Sequence, residues 1–144
     1  MLDRVTASLI LANFMDRDDT WRTLVETMRE VDGVAKGVAA SVLQAQVLRT
    51  PRHIDWGPVH YGIHAMLDGT SLFETSTLID VLLKTEVTPA DARPFLKGGG
   101  ELLLDHFASG TPMLSQPAHA LLVQLRGEDL GPDVGPWRAW IAAL

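Results

Sequence analysis

GEDLGPDVGPWRAW, residues 127 to 140, is where the fold is decided. Glycines, prolines and acidic residues crowd its first ten positions, which reads as a rigid, turn-rich connector. Gly127 ends the helix before it, because glycine enters the left-handed conformation cheaply. That helix is AHALLVQLR, opened by Ser115-Gln116-Pro117. After the connector, WRAWIAAL closes the chain as one more short helix. Trp137 and Trp140 fall on its docking turn, so packing is preferred over ligand stacking.

Helical spacing dominates further upstream. Residues 2 to 14 place Leu2, Val5, Leu9 and Ala12 at steps of three and four. The run DRDD breaks this segment, and Asp19 or Thr20 is expected to cap the next helix by accepting from free backbone N–H groups. Trp21, Leu24, Val25, Met28 and Val31 form its apolar stripe, and Gly33 ends it. Residues 34 to 49 read as a third helix, with a stripe of Val38, Val42, Ala45 and Leu48, and Leu43 and Val47 beside it. Thr50-Pro51 stops that helix. Asp55 is expected to cap the helix carrying HYGIH, with Pro58 in its first turn and Gly69 at its end. The next helix spans 72 to 85 and offers Leu72, Phe73, Leu78, Val81 and Leu82. Thr88-Pro89 opens a helix that Pro94 keeps short or kinked. GGG at 98 to 100 separates it from ELLLDHF. No convincing strand is visible.

These helices come in pairs. Those starting near Trp21, Trp56, Gly99 and Trp137 are 35 to 43 residues apart. Their partners carry apolar pairs at Val42-Leu43, Leu82-Leu83 and Leu121-Leu122, spaced 40 and 39 residues apart. A two-helix unit of about 40 residues has the size of a HEAT or armadillo repeat. Here the chain resembles the bacterial HEAT-repeat proteins, an armadillo-like α-solenoid family. Residues 127 to 140 look like that family's "G-x-D-[FL]-G-x-D-x-x-x-W-x-x-W" endings, in which turn and tryptophans dock the closing helix on the one before. The resemblance covers most of the chain, departs from a clean repeat at GGG, and carries no catalytic residues. It implies an all-α, right-handed α-solenoid of about three and a half hairpins over residues 1 to 144. The first helix looks like half a unit and is apolar for a cap. The chain therefore reads as the C-terminal part of a longer solenoid, or as one whose first helix docks on another molecule.

Bulk composition removes several function classes. The 144 residues suit one domain, and 47% hydrophobic residues supply a continuous core. A formal charge of −6 without a Lys/Arg cluster argues against a nucleic-acid partner. The absence of cysteine excludes disulfides and thiolate metal sites. No signal peptide and no apolar stretch of about 18 residues appears. The expectation is a soluble chain, cytoplasmic by default, with no membrane insertion.

The strongest chemical candidate is HYGIH. His60 and His64 share a helix face, and Asp68 lies one turn further on, so the three form an alternative metal site. The metalloprotease form needs glutamate where Tyr61 stands. On a helical wheel both histidines sit on the shoulder of an arc formed by Trp56, Val59, Ile63, Met66 and Leu67, which favours edge packing. GGG lacks the phosphate-loop pattern and reads as a joint. Asp16, Asp18 and Asp19 lack the glycine and glutamate of a calcium loop. Ser8, Ser41, Ser71, Ser76, Ser109 and Ser115 lack a nucleophile-elbow setting, and the sequence alone does not place His106 relative to His119.

The resemblance implies a non-catalytic scaffolding module that presents a concave helical face to a protein or peptide. No cofactor is expected. The acidic balance favours a partner with some positive charge. Such solenoids line the inner curve with their second helices, which here place Lys36, Gln44, Glu74, Asp80 and Gln124 as the partner-binding positions.

Overall fold

The computed structural model describes residues 3–30, 33–47, 52–69 and 71–144. Leu2, Val31, Leu48 and Thr50-Pro51 lie outside the described residues. Nine α-helices and no strand occur among those described. They are α1 (Arg4–Leu11), α2 (Asp18–Glu30), α3 (Val34–Val47), α4 (His60–Leu67), α5 (Leu72–Lys84), α6 (Pro89–Leu96), α7 (Glu101–Phe107), α8 (Pro112–Arg126) and α9 (Val134–Ala142). A 3-10 turn, Gly57–Val59, leads into α4. The all-helical expectation holds.

Helix contacts form two rows. In one, α1 packs on α3, α3 on α5 and α5 on α8. In the other, α2 touches α4, α4 packs on α6 and α7, and α7 on α9. The pairs α2–α3, α4–α5 and α7–α8 bridge the rows, and the core lies between them. Leu43, Leu82 and Leu121 recur at a constant step of 39 residues and are each 0% exposed. Within the apolar pairs it is thus the second residue of the first pair and the first residue of the other two that keep one register.

The two outer tryptophans share a local device. Trp21 Nε1 donates to the Met15 carbonyl at 2.8 Å, and Trp137 Nε1 to the Gly131 carbonyl at 2.9 Å. Each indole is at the fourth position of its helix and reaches back six residues. Burying the ring while satisfying its one donor lets the entry turn and the helix start act as a unit. Residues 127 to 133 are braced further. The Gly127 N–H reaches the Val123 carbonyl at 2.7 Å, with Gly127 left-handed at φ 82°. The Asp129 carboxylate accepts from Gly131 N at 2.8 Å and from His119 Nε2 at 2.9 Å. Those bonds, the backbone one foremost, hold the Asp129 carboxyl below its ordinary pKa.

Several expected details change. The second helix starts at Asp18, so Asp19 and Thr20 lie inside it rather than capping it. Asp55 accepts from Gly57 N at 2.9 Å and so braces the 3-10 turn, not α4, and Trp56 precedes α4 instead of lying on its stripe. Helix α8 begins at Pro112, not at Ser115-Gln116-Pro117. Thr111-Pro112 offers the same start signal earlier, and Pro117 inside the helix forfeits its bond to Met113. Leu72 and Phe73 are more than half exposed rather than in the α5 stripe. By contrast, Thr88 starts α6 as expected, its N–H bonded to Asp91 Oδ2 at 2.8 Å.

The correction with most consequence concerns α1 and α3. On α3 the buried residues are Ala35, Ala39, Ala40, Leu43 and Val47. Val38 and Val42 are only half-buried, and Ala45 is exposed. On α1 the buried residue is Ser8, and Leu9 is 55% exposed. Both helices are rotated by about one residue from the expected register. Small side chains win because they allow close approach of two backbones.

Candidate functional site

The rotation of α1 and α3 leaves apolar side chains facing outward. Leu9 from α1 and Ala12 at its C-cap, with Val34, Val38 and Val42 from α3 and the polar Asn13 and Gln46, line an open groove of about 770 Å³. Gly37, Ser41 and Ala45 also line it at successive steps of four, so that line of α3 carries little side-chain bulk. Among the described residues, no charged side chain lines the groove. Helix α3 is therefore apolar on two faces, one in the core and one open. A helix apolar all round is ordinarily covered on every side. Ile10 and Phe14, both near half exposed, extend the apolar surface at this end.

Four of the five polar positions expected to meet a partner are engaged between elements. Lys36 of α3 pairs with Glu74 of α5, whose side chain is only 11% exposed. Gln44 Nε2 donates to Thr77 Oγ1 at 3.0 Å across the same helix pair. Gln124 Nε2 donates to the Val87 carbonyl at 2.9 Å and ties α8 to the segment between α5 and α6. These side chains stitch the row together. Asp80 differs: burial pushes its carboxyl above the ordinary range, against the opposing pull of Lys84. A carboxyl whose folded pKa is raised favours the folded state below its unfolded pKa, and this is lost as pH rises through the folded value. Asp80→Asn is therefore expected to raise the unfolding midpoint at pH 7 and to lose that advantage near pH 3. Equal shifts at both pH values would show that the charge at Asp80 carries no cost.

His60, His64 and Asp68 do not converge. His60 Nδ1 meets the Gly57 carbonyl at 2.7 Å, and His64 Nδ1 the Phe95 carbonyl at 3.1 Å. Asp68 Oδ1 accepts from Glu101 N at 3.1 Å. Each joins α4 to a different neighbour, with both rings half-buried on the flank of the helix. No group of three such side chains among the described residues is placed to hold a metal ion. At GGG, Gly98 has φ 126° and a Cβ there would stand 2.8 Å from His64 Cε1, so the joint needs glycine for conformation and for room.

His106 and His119 are held apart by separate partners. Buried His106 Nδ1 meets the Leu102 carbonyl at 2.9 Å, whereas His119 packs between Phe107 and Trp137 and bonds to Asp129. Ser109 and Ser115 share a surface depression with His119, but neither hydroxyl is hydrogen-bonded to its ring. An imidazole oriented by a carboxylate activates a hydroxyl only within bonding reach. The His119–Asp129 pair acts here as a latch on the closing turn.

Among the described residues no helix is long and apolar enough to cross a membrane. Comparison with protein-family models, with curated proteins and with solved structures finds no match for this chain.

Proposed function

We propose that this chain is a non-catalytic interaction module, a right-handed α-solenoid of the HEAT type, whose α1–α3 groove seats an amphipathic helix of a protein partner. The observation that carries this reading is the two-faced α3: among the described residues its outward face is uncharged and mostly apolar, with the small side chains of Gly37, Ser41 and Ala45 in line along it. An apolar surface of this kind on a water-exposed helix pair marks an interaction site. Helix-in-groove docking uses apolar anchors at i, i+3, i+4 and i+7, and a line of small residues leaves room for the partner helix to approach closely. The solenoid reading is supported by the two rows of helices, the leucine step of 39 residues and the repeated tryptophan device. The net charge of −6 favours basic residues flanking the partner's apolar stripe.

Selection from a display library of amphipathic helical peptides tests this. A selected peptide is expected to bind one-to-one and to be enriched in lysine beside its apolar stripe. Ser41→Arg, at an exposed position, places a charge in the groove. It is expected to weaken that peptide by about tenfold or more while leaving the unfolding midpoint unchanged. A library that yields no groove-dependent peptide, or one bound equally by the Ser41→Arg chain, contradicts the proposal.

A further inference from the structure

A second concave surface has the opposite chemistry. Between α4 and α6 lies an open groove of about 510 Å³, lined by His60, Tyr61, His64, Arg93, Pro94 and Lys97. Two pairs spaced four apart face it, His60/His64 from α4 and Arg93/Lys97 from α6 and its C-cap. Such spacing puts both members of a pair on one face of a helix.

The chain has 18 acidic residues against 12 Lys and Arg, so carboxylates are in excess. Arg17, Arg22, Arg29, Arg52, Arg126 and Arg138 each pair with one. Arg93 and Lys97 pair with none among the described residues. Of the carboxylates on α6, at the end of α4 and on α2, Asp91 is bonded at the start of α6, Asp68 on the backbone of α7, and Glu26 to Arg29. Both imidazoles are anchored through Nδ1 on backbone carbonyls, and neither Nε2 has a protein partner among those residues. Tyr61 is 78% exposed, its ring 4.0 Å from that of His60.

We propose that the α4–α6 groove binds a phosphate monoester. Two fixed positive charges match a dianion, and the arginine fork suits phosphate oxygens better than a point charge does. Exposed Tyr61 offers a face for a ring carried by the ester. This site stands apart from the helix-docking reading and holds whether or not that reading does.

The test is a titration of the full chain with phenyl phosphate, followed by ¹H–¹⁵N NMR, with inorganic phosphate as a second probe. Saturable shifts are expected at residues 60 to 64 and 93 to 98, with tighter binding of phenyl phosphate than of inorganic phosphate. Arg93→Ala/Lys97→Ala is expected to weaken binding by about tenfold or more, and the milder Arg93→Gln by less. Arg4→Ala/Arg17→Ala removes the same charge elsewhere and is expected to change it little. Absence of saturable shifts, or equal weakening by both double variants, overturns the site.

Discussion

Trp137→Ala is expected to cost about 3–5 kcal/mol, the range for truncating a large buried aromatic. The indole is 0% exposed, and its ring meets those of Phe107, His119 and Trp140 edge-on at 5.9 to 6.1 Å. Its N–H also holds the Gly131 carbonyl, so the loss removes the brace of the closing turn along with the packing of α9. For a chain of this size the unfolding midpoint should fall by roughly 10 °C. Trp137→Phe keeps most of the ring contact and forfeits the hydrogen bond, so its cost should be about 1–2 kcal/mol. Thermal unfolding followed by circular dichroism checks both. A fall of only a degree or two for Trp137→Ala would mean that α9 is not docked through this residue.

Trp56→Ala should cost about as much, for a different reason. Trp56 is 1% exposed and donates through Nε1 to Thr85 Oγ1 at 2.9 Å. Thr85 is fully buried and passes its own proton to the Val81 carbonyl at 2.8 Å. The backbone alongside is strapped down as well, with Arg52 N on the Lys84 carbonyl and Ile54 N on the Thr85 carbonyl. Residues 52 to 56 are thereby bound to the C-terminal end of α5. Trp56→Phe leaves the Thr85 hydroxyl short of a donor, whereas Trp56→Phe with Thr85→Val removes both partners. Removing one partner of a buried hydrogen bond costs more than removing both. The second substitution should therefore add little to the first in a denaturant-unfolding cycle. Fully additive costs would show that the hydrogen bond does not couple the two residues.

Much of this architecture was legible in local chemistry. Thr88 as a helix start, Gly127 as a helix end and the burial of Trp21, Trp56 and Trp137 rest on capping, left-handed backbone and ring size, which act within a few residues. The face of α3 was not legible. Val38, Val42 and Ala45 make an apolar stripe, and so do Ala35, Ala39, Leu43 and Val47 one position on. Valine carries more hydrophobic weight, but alanine allows the closer approach that α1, α2 and α5 require. Ser8 facing inward on α1 has the same cause. The start of α8 was misplaced at Pro117 because Pro112, five residues earlier, carries the same start signal and opens the helix. The Lys36–Glu74 pair and the groove of His60, His64, Arg93 and Lys97 join residues about 30 or more positions apart, and no local pattern announces such meetings.

Paired substitutions on the two faces of α3 test the open groove most directly. Leu43 is 0% exposed, so Leu43→Ala should destabilise by about 2–5 kcal/mol. Ala45 is exposed in the groove, so Ala45→Glu should change stability by no more than about 0.5 kcal/mol. Both are read from one denaturant-unfolding experiment on the full chain. A large loss for Leu43→Ala beside a negligible one for Ala45→Glu is the predicted result. Comparable losses from both would place the Val38–Val42–Ala45 face in the core, and the docking groove would not exist.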